Sequence, residues 1–277
     1  MTLQSSGPIS LANVQTEFGG SNPISLSEYY GAASGIPSSG TISLSNFYGK
    51  SSYTPPSEVK RQFFSDVSGS INTWSVGWST SGLQSGDLFI FFATKFRKGT
   101  GSVPQLYSNW NTLNSANYTD TADYLPANYA AASVFYTTSF TSGITIYNSG
   151  GTQSESAIGC LTVWRNASIQ QSNAGVLTAS WQGPAGLSSA VNGRYLFYTS
   201  GHGSWTYGYE GGSIAPLRPY GNYAGISNWS NAYAAASSNG VPDPYCGFGY
   251  NVYPSTSTPS YSGGGWSSYN STLSVRL

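Results

Sequence analysis

Apolar positions along this chain follow two different rhythms, and the change falls near residue 50. Before it, the same short phrase occurs three times. Ile9-Ser10-Leu11 runs through Val14 and Phe18 to Gly19; Ile24-Ser25-Leu26-Ser27-Glu28-Tyr29-Tyr30-Gly31 follows; Ile42-Ser43-Leu44-Ser45-Asn46-Phe47-Tyr48-Gly49 closes the set. Self-similarity at short period is the first thing to read, since it dictates architecture. Each copy holds the parts of a very short capped helix. The serine is a natural N-cap, its side-chain oxygen placed to accept from an orphan N–H of the first turn. Ser25 and Glu28 have the spacing of a capping box, and the pairs Ile9/Val14, Ile24/Tyr29 and Ile42/Phe47 have the spacing of a hydrophobic staple. Gly31 and Gly49 supply residues that turn left-handed and end the helix. The first copy reads Ala12-Asn13-Val14-Gln15 where the others are shorter, which predicts a longer helix there.

One or two helical turns do not stand alone, because nucleation is costly and few bonds follow it. The apolar residues must bury against one another or against a partner. About fifty residues is also near the lower limit for a domain without metal or disulfide. The two readings are a self-contained cap and a docking module, and docking is the favoured one. Its attachment residues are Ile9, Leu11, Val14, Ile24, Leu26, Tyr29, Ile42, Leu44 and Phe47.

Past residue 50 the rhythm is that of strands. Pro55-Pro56 within residues 51–60 predicts an extended linker, which separates a module at 1–50 from a domain at 61–277. Leu88-Phe89-Ile90-Phe91-Phe92-Ala93 is a continuous apolar run of strand length, expected in the centre of a sheet. Residues 133–140 and 144–147 flank Thr141-Ser142-Gly143 and read as a hairpin. Further strands are expected at 158–164, 176–181, 194–199, 205–209, 248–253 and 273–277. Residues 109–117 and 228–236 are the expected short helices. From 211 to 265 six prolines interrupt any ladder, so this part reads as long Gly/Pro-rich loops. The expected fold is mainly β: short capped helical turns, then a β-sandwich or jelly-roll-like domain.

Composition narrows the function classes. Charged residues are only 7% of the chain, against roughly 25% in ordinary soluble domains, while glycine numbers 34 and tyrosine 22. Aromatic residues reach 15%, ample for a core and unlike disordered segments. The formal net charge is zero, so no nucleic acid is expected as a partner. Lys60-Arg61 and Lys95-Phe96-Arg97-Lys98 read as solvated loops. No membrane span and no signal peptide are recognisable. Cys160, in an apolar run, reads as a buried free thiol rather than half of a disulfide with Cys246.

The segment SSGPISL…EFGGSNPISLSEYYG…IPSSGTISLSNFYG resembles the N-terminal part of structural proteins of tailed bacteriophages, particularly marine and cyanobacterial phages. There, PISL-S-[ED]-[FY]-[YR]-G units precede varied C-terminal domains. Further on, Gly86-Asp87-Leu88-Phe89-Ile90-Phe91-Phe92, then Val163-Trp164-Arg165-Asn166-Ala167-Ser168, then Gly193-Arg194-Tyr195-Leu196-Phe197-Tyr198 is similar in order to β-sandwich modules of phage structural proteins. Those open with a GDLL-type strand and carry a later V-[YW]-R-G strand; Asn166 stands where glycine is common. The resemblance implies a virion component, assembled in the host cytoplasm and located in the tail or another external structure. Its implied partners are other virion proteins and itself, as a homotrimer.

Signals for catalysis are sparse. The only histidine, His202, lies in Ser200-Gly201-His202-Gly203-Ser204, which reads as a turn without a partner base or metal-ligand spacing. Asp120, Asp123, Glu155, Glu210 and Asp243 offer no marked pair of the kind glycoside hydrolysis requires. No enzyme activity and no cofactor is therefore expected. Trp205, Tyr207 and Tyr209 alternate with small residues, so on a strand they share one face. Such a face suits a sugar ring, with Glu210, Asn222 or Asn228 near its hydroxyls; the favoured reading is that it packs the sandwich core or a subunit interface. The reading reached is a non-enzymatic virion structural protein; the alternative is a tail module that binds or processes host glycan.

Overall fold

A computed structural model describes residues 2–52, 54–68, 71–98, 105–120, 128–148, 156–177, 194–203, 222–224, 227–233, 243–250, 260–262 and 270–277. The chain divides into two compact units, Met1–Pro55 and Pro56–Leu277.

In the first unit the copies form α1 (Leu11–Phe18) and two single 3-10 turns, Leu26–Tyr29 and Leu44–Phe47. The helix type follows from length. The eight residues of α1 allow four-residue closure, as in Val14 N–H to Ser10 O at 3.2 Å and Gly19 N–H to Gln15 O at 2.8 Å. In the four-residue copies Glu28 N–H closes on Ser25 O and Asn46 N–H on Ser43 O, three residues back. All three copies place the third helical side chain on the cap. Ser10, Ser25 and Ser43 N–H donate to Asn13 Oδ1, Glu28 Oε1 and Asn46 Oδ1 at 2.9, 3.0 and 2.8 Å. Asparagine thus does in two copies what only Glu28 predicted. Gly31 and Gly49 follow the turns with φ of 69° and 66°.

Every regular element among the described residues of the second unit is a strand. Its first sheet has five antiparallel strands. These are β1 (Ser57–Asp66), β3 (Leu88–Lys98), β5 (Asn111–Asp120), β6 (Asn128–Thr137) and β8 (Ser156–Arg165), in the order β1-β8-β3-β6-β5. The second sheet comprises β9 (Gln171–Leu177), β10 (Tyr195–Gly203), β12 (Ser227–Tyr233), β13 (Asp243–Tyr250) and β15 (Asn270–Arg276), ordered β12-β13-β10-β15-β9. A third sheet of β2 (Thr73–Gly77), β4 (Leu106–Ser108) and β7 (Gly143–Asn148) has β7 in the middle. The strands β11 (Asn222–Ala224) and β14 (Ser260–Ser262) pair with each other.

The first sheet is covered on both faces. On one, Leu88, Ile90, Phe92, Val134, Cys160 and Trp164 pack with Leu196, Tyr198, Cys246, Phe248 and Val275 of the second sheet. On the other, Phe89, Phe91, Ala93, Phe135, Leu161 and Val163 pack with Trp74, Leu106, Ile144 and Ile146 of the third. Two-sided burial is why β3 and β8 read as unbroken apolar runs instead of alternating. A buried hydrogen bond between Thr162 Oγ1 and Tyr198 OH, 2.7 Å, joins the first two sheets.

The architecture is the expected mainly β fold, but several elements differ from expectation. Residues 133–140 and 144–147 do not form a hairpin: β6 joins the first sheet beside β3 and β5, while β7 joins the third beside β2 and β4. Turn residues between two apolar runs mark a reversal, not a pairing. Of the expected helices at 109–117 and 228–236, residues 111–117 lie in strand β5 and residues 228–233 in β12, because partners β6 and β13 override weak local propensity. Within 211–265, expected to be loops, β13 has both neighbours in the second sheet. The spacer at 51–60 is shorter, as β1 begins at Ser57. Lys60-Arg61 and Lys95 belong to β1 and β3 rather than to loops, and His202 lies on β10 opposite Pro244 instead of in a turn.

Candidate functional site

The nine residues expected to attach the first unit come together, against one another. Val14, Tyr29, Ile36 and Phe47 are its buried core, and Ile9, Leu11, Ile24, Leu26, Ile42 and Leu44 lie half-buried around it. One ring from each copy meets at the centre. Phe18, Tyr29 and Phe47 have centroids 6.1, 5.9 and 5.9 Å apart, with tilted or edge-on planes. Tyr29 OH donates to Gly19 O at 2.8 Å, and burial pushes that hydroxyl's pKa up.

The polar contacts close the copies into a ring. Tyr30 OH of the second copy donates to Gly40 O, two residues before Ile42 of the third. Tyr48 OH of the third donates to Gly7 O, two residues before Ile9 of the first. Leu3 N–H to Lys50 O at 2.8 Å and Gly49 N–H to Gln4 O at 3.0 Å join the two ends. Glu17 is buried, and its Oε1 accepts from Ser51 Oγ, Ser52 N–H and Ser52 Oγ at 2.9, 2.9 and 3.1 Å. The tyrosine just before the glycine of each later copy, Tyr30 and Tyr48, therefore carries closure, a role that the periodic pattern alone did not assign.

In the second unit, the two ends of the GDLF and VWRN segments meet. Leu88 is paired with Trp164, which places Asp87 beside Arg165. Arg165 Nε and Nη2 donate to Asp87 Oδ1 and Oδ2, both at 2.9 Å; Gln84 N–H donates to Oδ2 at 2.8 Å. Burial alone would raise the Asp87 carboxyl, but the guanidinium and the amide hold it below the ordinary carboxylate value. Asn166 has φ of 55°, the left-handed conformation that glycine adopts most easily and asparagine next. Residues 84–87 and 165–168 line an open hollow of about 470 Å³. Its charges are matched inside the turn, so the pair clamps the ends of β3 and β8.

Two further clusters went unread in the sequence. Arg61 Nε and Nη2 donate to Glu58 Oε1 and Oε2 at 2.6 and 2.7 Å, while its guanidinium sits 4.6 Å from the Phe248 ring centre and 5.6 Å from that of Tyr250. Arg194 approaches the Tyr250 ring at 5.8 Å and donates to Pro56 O at 3.1 Å. This arrangement ties strand β1 of the first sheet to β13 of the second through cation–π contact. Lys95 is wholly buried on the phenylalanine face of β3, its Nζ donating to Asn72 O and Ile146 O at 3.3 Å each. Burial pulls its pKa down to about 8, opposed by Asp66. The signal was available in the alternation Phe89, Phe91, Ala93, Lys95, which puts the lysine on an inward face.

None of these groups forms a catalytic constellation. Cys160 and Cys246 are fully buried free thiols, and burial pushes both pKa values up, which leaves them inert as nucleophiles. Asp120 ends β5 and Asp243 begins β13, on different sheets. Asp123, Glu155 and Glu210 lie outside the described residues, as do Trp205, Tyr207 and Tyr209. Asn222 opens β11 and Asn228 lies in β12. Among the described residues no group of three His, Cys, Asp or Glu side chains could hold a metal ion, and no helix is long and apolar enough to cross a membrane. No family model matches this chain, and neither a curated protein nor a solved structure does.

Proposed function

We propose that this chain is a non-enzymatic structural protein of a bacteriophage virion, tail-associated or in another external position. Residues 1–55 attach it, and the β unit is what it displays. The observation that carries this reading is the N-terminal ring. Three copies of a phage-like phrase form a compact unit of their own, distinct from the β unit. A cap built merely to cover the second unit would not need its own closed core and tied ends. The low charge of the chain supports the reading, because desolvating charge at subunit contacts is costly. It also supports self-association, with a homotrimer as the state that the resemblance implies.

Because the large apolar residues are used inside the ring, attachment falls to its outer surface. The staple residues act by holding that surface in shape. The test compares particles assembled with full-length protein, with a chain lacking residues 1–55, and with Phe47→Ser. Both altered chains are expected to keep a β-rich circular dichroism spectrum and to be missing from purified virions. Normal incorporation of the deleted chain would assign attachment to the β unit.

A further inference from the structure

The third sheet turns one face to the core and the other outward, and the outward face is organised in two rows. Across the first row, Thr73 is paired with Tyr147 and Tyr147 with Tyr107. Both tyrosines are exposed, at 43% and 39%, and their rings lie nearly parallel, 21° apart with centroids at 6.0 Å. Across the second row, Ser75 is paired with Thr145, their hydroxyls 3.0 Å apart. Asn109 continues that row, its Oδ1 accepting from Thr145 N–H at 3.0 Å. An aromatic row thus runs beside a row of hydroxyls and an amide. Tyr107 OH donates to Gln105 Oε1 at 2.9 Å, which steadies that ring by its edge.

We infer that this face is a binding platform for a neutral glycan. A pyranose presents an apolar face of C–H groups and a rim of hydroxyls that both donate and accept. The first stacks on an aryl face; the second is met by hydroxyl and amide groups that likewise do both. The sequences of β2, β4 and β7 contain no Asp, Glu, Lys or Arg, so the platform complements an uncharged ligand and has no cation of its own to pair with a phosphate or carboxylate. Rigidity comes from beneath. Trp74, Leu106, Ile144 and Ile146, the residues alternating with the outward ones, are buried against the first sheet. Size separates the glycan from a second copy of the chain. Three strands about 4.8 Å apart and about five residues long give roughly 200 Å² of plan area. A stable protein interface takes about 800 Å² from each partner.

The test uses full-length protein in affinity electrophoresis through gels containing a neutral glucan, galactan or mannan, together with an array of neutral oligosaccharides. At least one neutral glycan is expected to retard the wild type. Tyr107→Ala and Tyr147→Ala should each weaken that retention about tenfold, the change that loss of one ring contact produces. Ser75→Ala should weaken it about threefold, the lower range for one hydrogen bond. Thermal midpoints should stay close to wild type, because the substituted side chains point away from the core. Absence of retention by every neutral glycan overturns the inference. So does undiminished binding by the double tyrosine variant, or retention confined to anionic polysaccharides. Sedimentation showing that the double variant turns an oligomer into a monomer would assign the face to a second copy instead.

Discussion

The two units of this protein start from contacts of different range. In residues 1–55, each cap is made by side chains three positions apart, and one pattern repeated three times supplies the three central rings. In residues 56–277, the pairing partners are remote: Ser57 of β1 lies opposite Arg165 of β8, and Tyr195 of β10 opposite Arg276 of β15. The first unit therefore depends on a few residues with no redundancy. The second distributes burial over two cores on either side of one sheet. A single deletion should be catastrophic in one and absorbed in the other.

The strongest way to break the comparison is Phe47→Ala. Removing a fully buried phenylalanine costs about 3–5 kcal/mol, as much as a core of this size supplies in total. The first unit should unfold and be clipped off by protease, while the calorimetric transition of the β unit stays in place. Survival of the first unit's own transition beside that of the β unit would show that the ring does not hold the unit.

A pH-dependent effect is expected in the β unit. The pKa of Lys95 falls from 10.5 to about 8 on folding, so the folded state favours the neutral amine. Stability from this residue is greatest above 10.5, declines as pH falls through that window, and is flat below 8; the span is about 3 kcal/mol. The buried thiols and Tyr198, with raised pKa values, act in the opposite sense at high pH. The measurement is thus the difference between wild type and Lys95→Met. The variant should be the more stable by about 1–3 kcal/mol at pH 7, with its advantage vanishing near pH 10.5 in urea titrations. A difference independent of pH would mean that Lys95 keeps its charge at no cost.

Asp87→Ala should cost about 2 kcal/mol of β-unit stability, because it removes two bonds from Arg165 and one from the Gln84 amide. With its folded pKa lowered, the wild-type contribution is present above the ordinary carboxylate value and is lost as pH falls through the depressed one. Acid titration of the two proteins should accordingly converge at low pH. The smallest change is Asn46→Ala in the third cap. About 1 kcal/mol is expected from the lost bond to Ser43 N–H, visible as earlier melting of the first unit alone.

Legibility followed the range of the interactions. Ser25, Glu28 and Gly31 act on neighbours within a few residues, so their roles could be read from spacing. The unbroken run at 88–93 announced a strand buried on both faces, since no local alternative accommodates so many large apolar side chains. Lys95 was misread because charge suggests solvent; only the alternating inward face of β3 reveals that it is enclosed. Residues 111–117 and 228–233 carry mixed polar patterns with no strong preference of their own, so β6 and β13 decide their state.

What the sequence by itself determined was the punctuation of this chain. It set three capped turns, the break near Pro55-Pro56, and a β unit rich in aromatic residues and poor in charge. These follow from backbone sterics, local hydrogen bonds and composition, each of which acts without knowledge of the rest of the fold. Tertiary structure alone decided that the three turns close on one another through Phe18, Tyr29 and Phe47. It sent β6 and β7 to different sheets, joined Asp87 to Arg165, and set Tyr107 beside Tyr147. The physical reason is register. Which residue faces which across a ladder depends on pairings made tens of residues apart, and a shift of one position would turn every side chain to the opposite face.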